Sequence, residues 1–389
     1  MSEPTTSIGA GPARRSGRAA QPSRLSRTLL AASVILTGSG CAESPFEPQL
    51  RPPIDLPADL AGVSFTAEGQ PTAPYILLEI RHAEGFSGFV AVNANGRPVW
   101  FFRTVGGPFG ATRRANGNFV FLDRERGLLE VTVDGQVTRE LAQEARPGRF
   151  IHHDVTATDS NTILFIAEDV RQWQGEPLTG EAIWEWTPED GSVVRLWSAF
   201  DHLNPEVDWG PRSTTTDWLH ANALSVGPRG NILLSSHFLD QVLSIAPDWL
   251  NLEWRLGGVG ATIAVDDPFS GQHTAAETEP GHVLVFDNGF AREEARYSRA
   301  AEYELGEGTA SKVWEWRPER DNWARVISSA RRLPNGNTVV AFGTENDPML
   351  GSTGPIEVYE VTRGGDVVWH LRLEGQVSSM YRATPLLEF

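Results

Sequence analysis

The sequence predicts an all-β fold, a six-bladed β-propeller. Three observations point there. From about residue 74 onward no long helical period appears, and short runs of Val, Ile, Leu, Phe and Trp are punctuated by Gly, Asn and Asp. A unit of about four such runs recurs along the chain, the spacing of a propeller blade. Each unit turns at a Gly-Asn-like pair, and most close in a Trp-containing run. A unit of this kind cannot bury both of its faces alone, so neighbours must stack.

The chain opens with a segment apart from the repeats. Arg14, Arg15, Arg18, Arg24 and Arg27 form a basic stretch, and residues 29–36 follow as an apolar run too short to span a bilayer. Thr37, Gly38, Ser39 and Gly40 then lead to Cys41, the one cysteine of the chain. This pattern resembles a bacterial lipoprotein signal. Residues 1–41 are therefore expected to export the chain, with lipidation at Cys41 and no other tie to the membrane. The expected location is the outer face of a membrane or the periplasm. Residues 42–73, with Pro45, Pro48, Pro52, Pro53 and Pro57, read as an extended tether and lead-in.

The repeats occupy residues 74–389. The turn pairs are Gly117-Asn118, Ser160-Asn161, Gly230-Asn231, Gly281-His282 and Gly336-Asn337, each leading into an apolar run. Closing runs lie at residues 183–186, 252–256, 313–316 and 367–370. Residues 75–102 look like a further copy without its first strand. The C-terminal residues 381–389 are expected to supply that strand and close the ring. A seven-bladed ring with a degenerate blade in residues 198–219 is the main alternative, and a β-sandwich a more distant one.

Composition narrows the function. The net charge is −17, and Lys312 is the one lysine, so Arg carries nearly all positive charge. Such a surface disfavours nucleic acid and anionic membrane as partners. A single cysteine excludes an internal disulfide and a cysteine-based zinc site.

Three histidines stand out. His153, His220 and His273 begin the inner runs of three consecutive units, at matching places ahead of their turn pairs. Inner strands line a propeller's channel, so the three are expected to converge at one mouth. The second strand returns to the same mouth and brings His237, Asp287 and Asn288 there. Asn222 shares the strand face of His220, because side chains alternate with period two. By the same rule His152 points away from His153 and is read as structural. His82, His202 and His370 are read as surface or packing residues, and the Trp-Glu-Trp runs as packing between blades.

At these residues the chain resembles the bacterial arylsulfotransferase family, the aryl-sulfate sulfotransferases that do not use a nucleotide donor. The matching blocks are Phe150-Ile151-His152-His153-Asp154, Asp217-Trp218-Leu219-His220-Ala221-Asn222, Trp254-Arg255-Leu256-Gly257-Gly258, Gln272-His273, Val285-Phe286-Asp287-Asn288-Gly289 and Tyr381-Arg382-Ala383. The resemblance implies a six-bladed propeller that moves a sulfuryl group between phenols through a sulfohistidine. It places the nucleophile at His273 and sulfate-binding roles at His153, His220 and Asn222. It implies small-molecule phenols and aryl sulfates as partners, and no metal, nucleotide or redox cofactor. One position departs from the family. An Arg usually follows the Ser-Ser pair, and here His237 follows Ser235-Ser236. His237 as an imidazolium, or Arg124, Arg171 or Arg292 reaching in, is expected to replace it. Two other readings stay open: a non-catalytic binding propeller of the same family, and a metal-dependent hydrolase built on the histidines.

Overall fold

The computed structural model describes residues 50–82, 85–143, 150–292, 294–343 and 355–389. The signal-like segment and Cys41 lie outside the described residues. Within them the chain forms six antiparallel sheets of four or five strands, the blades of a propeller.

Blade 1 closes the ring. Its strands Tyr75–His82, Ser87–Asn93 and Pro98–Arg103 take their innermost partner, Val377–Leu386, from the C-terminus. Blade 2 comprises Pro108–Arg113, Phe119–Asp123, Gly127–Val131 and Val137–Ala142. Blade 3 comprises Ile151–Ala157, Ile163–Trp173, Glu176–Thr187 and Ser192–Ser198, and blade 4 Ala221–Val226, Ile232–Ser236, Gln241–Ile245 and Leu252–Leu256. Blade 5 holds His273–Glu279, His282–Asp287, Arg299–Leu305 and Thr309–Trp316, with the short parallel strand Ala264–Val265 at its rim. Blade 6 holds Ser329–Arg332, Thr338–Phe342, Ile356–Val361 and Val367–Glu374. Ser64–Gly69, from the lead-in, pairs with the outer edge of blade 6. The ring is thus tied at two places, and the N-terminal strand covers an edge that would otherwise stay open.

Residues 198–219 are not a seventh blade. They hold the one-turn helix Ala199–His202 and a segment that crosses blade 3, where Asp217 bridges Thr179 and Trp218 N–H donates to the Thr179 carbonyl at 2.9 Å. The Trp-containing run at 183–186 is the third strand of its blade rather than the last. Blade 3 has an unusually long hairpin that turns at Gln174-Gly175, and its closing strand carries Trp197 instead.

The recurring Gly-Asn turns have a structural reason. The polar residue at or just after the turn reaches a polar group on the third strand of its own blade. Asn118 donates to Glu130 at 2.8 Å, Thr162 to Glu185 at 2.6 Å, Asn231 to Ser244 at 3.0 Å and Asn337 to Glu360 at 2.6 Å. Each bond ties the turn to the sheet where loops would otherwise fray.

The core is divided among the seams. Six apolar clusters each join two neighbouring blades, and the tryptophans read as packing residues sit in them. Trp184 and Trp186 pack on Val120 and Leu122 of blade 2, and Trp316 packs on Phe342 of blade 6. Fully burying one such side chain contributes roughly 1.5–3 kcal/mol, so the seams rather than the hairpins hold the ring together.

Candidate active site

At one mouth of the channel the inner strands lose their regular pairing. In blades 1 to 5 the register between inner and second strand shifts, by two extra residues in blade 3 and by one in the others. Backbone there enters the left-handed region, with φ of 62° at His153, 48° at His220 and 50° at Thr274. A β-bulge inserts an unpaired residue and re-aims side chains, a device common beside active sites. Here the bulge of blade 3 carries His153, and those of blades 4 and 5 fall within two residues of His220 and His273.

His153, His220, His237 and His273 line one cavity of about 170 Å³, together with Arg81, Phe109, Ile327 and Tyr381. Ring centroids are 4.9 Å apart for His153 and His220, 5.9 Å for His220 and His237, and 5.2 Å for His237 and His273. Tyr381 completes the circle, 6.2 Å from His153 and 6.4 Å from His273.

The three expected histidines converge without sharing a register position. His273 is a paired strand residue opposite Phe286. His153 lies in the bulge between His152 and Val155. His220 precedes its strand, and its carbonyl accepts from His237 N–H at 3.1 Å. The bulge also corrects the reading of His152. Alternation fails across it, so His152 turns alongside His153 and their Nδ1 atoms share a 2.6 Å hydrogen bond.

His273 has a fixed tautomer. Its Nδ1 lies 2.9 Å from Asn288 Oδ1, and the Asn288 amide nitrogen donates to Ala324 O at 2.7 Å and Ile327 O at 3.0 Å. With that nitrogen occupied, Asn288 presents oxygen to the ring, so His273 Nδ1 carries the hydrogen. The Nε2 lone pair is left, and Ile327 N–H points at it from 3.2 Å. Burial pushes the ring's pKa down to about 3, so His273 is a neutral imidazole. His152 is likewise held down at about 3, and His153 well below its ordinary value, both by burial first and neighbouring histidines second.

His237 does not replace an arginine as a cation. Burial, followed by the neighbouring His273 and Arg212, pushes its pKa well below the ordinary range. Its Nδ1 donates to Gly271 O at 2.9 Å, leaving Nε2 as an acceptor. Gly271 has φ of 60°, and a Cβ there would meet His237 Cε1 at 3.0 Å, so glycine is needed beneath this ring.

His220 has a different partner. Its Nδ1 lies 2.7 Å from Asp217 Oδ2, a carboxylate that orients the ring and can balance an imidazolium.

Four other expected residues do not line the cavity. Arg292 is held by Asp287 and by the Tyr297 carbonyl at 3.1 Å, and does not line the cavity. Arg171 is bound to Asp169, Ser198 and Asp201, and Arg124 rests over Phe150. Asn222 occupies a bulge that turns its amide to the next blade, where it donates to Gln272 O at 2.7 Å. Its backbone carbonyl accepts from Arg382, which also pairs with Asp154 at 2.6 Å. The guanidinium that lines the cavity belongs to Arg81, on the second strand of blade 1 and 4.5 Å above the Phe109 ring. No motif marked it. Among the described residues no group of three or more His, Cys, Asp or Glu side chains is arranged to hold a metal ion, and the Nδ1 atoms of all four cavity histidines are engaged by protein groups.

The model of the arylsulfotransferase (ASST) family matches residues 67–382. The chain belongs to that family. The arylsulfate sulfotransferase AssT of Lelliottia amnigena is 32% identical over 101 residues, a stretch covering 23% of this chain and 15% of that protein. The match therefore spans a small part of the relative's length. A crystal structure of a protein of unknown function from Bacteroides caccae has the same fold. It aligns with a TM-score of 0.53 at 16% identity, over 81% of this chain and all of that one. Within the family frame, Gln272 of the Gln-His block acquires a structural role. Its amide donates to Ser235 Oγ at 3.1 Å, Ser236 O at 3.0 Å and Gln241 O at 3.0 Å, stapling blade 5 to blade 4 directly beside His273.

Proposed function

We propose that the chain moves a sulfuryl group from an aryl sulfate to an acceptor phenol through a sulfohistidine at His273. The observation that carries this reading is the Asn288-fixed tautomer of a neutral His273, which leaves the Nε2 lone pair toward the cavity. In the first half-reaction Nε2 forms a bond to sulfur as the sulfur–aryl oxygen bond breaks. The Ile327 N–H leaves the lone pair and is then close enough to donate to a sulfuryl oxygen. The departing phenolate takes a proton from His220 Nε2, whose positive charge Asp217 balances. In the second half an acceptor phenol returns that proton to His220, and its oxygen displaces His273 from sulfur. Arg81 faces the negative charge of the sulfate, which the neutral His153 and His237 cannot balance.

Initial rates measured across a grid of chromogenic aryl sulfate and acceptor phenol concentrations test the reading. Parallel double-reciprocal lines and acceptor-dependent phenol release are expected. Absence of phenol release across several donors and acceptors contradicts it. One observation favours a second reading, a propeller that binds aryl sulfates without turnover: His237 offers only an acceptor. That reading expects thermal stabilisation by aryl sulfate with no phenol released.

A further inference from the structure

Behind His220 the structure gathers carboxyls that the reaction as described does not use. Glu181, on the third strand of blade 3, is 2% exposed. It stands directly across the strand pair from Glu168, and two residues on from Thr179, which bridges Asp217. Like charges directly opposite one another destabilise a sheet. Glu181 Oε1 accepts from the Ala221 amide at 3.1 Å, immediately after the left-handed turn at His220. Its Oε2 is buried with no hydrogen-bond partner, and so is Asp217 Oδ1, the oxygen of Asp217 that does not face His220. Two buried oxygens left over on neighbouring carboxyls are costly unless a proton serves them.

We infer that Glu181 is the positioning residue of His220: a neutral carboxyl that clamps the backbone turn carrying the imidazole and directs its one proton to the free oxygen of Asp217. The proton removes the like-charge repulsion between Glu181 and Asp217 and leaves Asp217 Oδ2 to His220. The surroundings agree. Burial raises the pKa of Glu181 well above the usual carboxylate range, and Asp217 and Glu168 add to the rise. Burial, then Asp217, raises Glu168 as well, so the proton has carboxylates on two elements around it. The inference rests on the sulfotransfer reading for its effect on turnover, and on the carboxyls alone for the proton.

The experiment uses the whole protein as wild type, Glu181→Gln, Glu181→Ala and Asp217→Asn. Gln mimics a neutral carboxyl, so Glu181→Gln is expected to keep kcat within about three-fold and leave the pH profile in place. Glu181→Ala is expected to lower kcat by roughly 10- to 100-fold with KM little changed, and to displace the limb of the profile that reports His220. Wild-type-minus-Glu181→Gln infrared difference spectra at neutral pH are expected to show a protonated-carboxyl C=O band belonging to Glu181, since Glu79, raised to about 7 in both proteins, cancels. If Glu181→Gln is as damaging as Glu181→Ala, or the difference spectrum shows no such band, the inference is overturned. If wild type turns over no aryl sulfate, the functional reading fails while the infrared band still decides the state of Glu181.

Discussion

The two walls of the cavity treat protons in opposite ways. On the blade 5 side, His273 and His237 face an amide oxygen and a carbonyl, and burial keeps both neutral. Toward blade 3, His220 rests on Asp217, with Glu168 and Glu181 behind it. The same side chain becomes a lone-pair donor on one wall and a proton carrier on the other. What separates them is the partner at Nδ1: a neutral oxygen leaves a base, and a carboxylate supports an acid. A reaction that must attack sulfur and protonate a phenolate needs both kinds within one small volume, and the turn entering blade 4 and the inner strand of blade 5 deliver them.

The division can be broken from either side. Replacing His273 by Ala removes the nucleophile and is expected to lower kcat for aryl sulfate by at least about 10³-fold, measured by phenol release. Asp217→Asn leaves the His220 ring in place but withdraws its balancing charge. A loss of roughly 10²-fold in kcat is expected, larger for poor leaving groups than for good ones; an equal loss across leaving groups would remove His220 from the proton step. Arg81→Gln removes the cation from the cavity and is expected to reduce kcat/KM by about 10- to 100-fold, in line with a hydrogen bond to a charged group. Arg292→Gln, at an arginine bound away from the cavity, is expected to change turnover by less than about two-fold.

The neutral wall also has a signature in stability. A histidine held neutral in the folded state takes up its proton near pH 6.5 only once unfolded. The unfolded chain therefore binds more protons below that pH, and stability falls as the pH falls. Glu79 acts in the opposite direction, since burial raises its pKa to about 7, so the contribution is isolated by comparing variants. Wild type is expected to lose stability relative to His237→Phe by about 1.4 kcal/mol per pH unit below about pH 6.5, read from urea unfolding between pH 7 and pH 5. Parallel pH dependences for the two proteins would show that His237 takes up its proton as readily in the folded state as in the unfolded chain.

The ring was legible because its signals are local and repeated. Gly117-Asn118 and Gly336-Asn337 recur because their asparagines reach Glu130 and Glu360, a requirement each blade meets within itself. The missing first strand of blade 1 could be inferred because that copy began without one. The histidine cluster could be located for the same reason, as His153, His220 and His273 open consecutive units. Alternation then gave way at the bulges, and so did the details it carried: His152 faces His153, and Asn222 faces Gln272. Arg81 was invisible because its place depends on how blade 1 pairs with the C-terminal strand, a contact across the whole chain. Glu181 and Asp217 meet only because the segment after blade 3 folds back over its third strand.

The central claim is that Nε2 of His273 carries the sulfuryl group between the two half-reactions. Intact-mass analysis with peptide mapping, after mixing the protein with an aryl sulfate in the absence of acceptor, tests it most directly. One sulfuryl group on the peptide containing His273, discharged by added phenol and absent in His273→Ala, is the predicted result. Phenol release that proceeds with no adduct on that peptide, or an adduct that persists in His273→Ala, would contradict it.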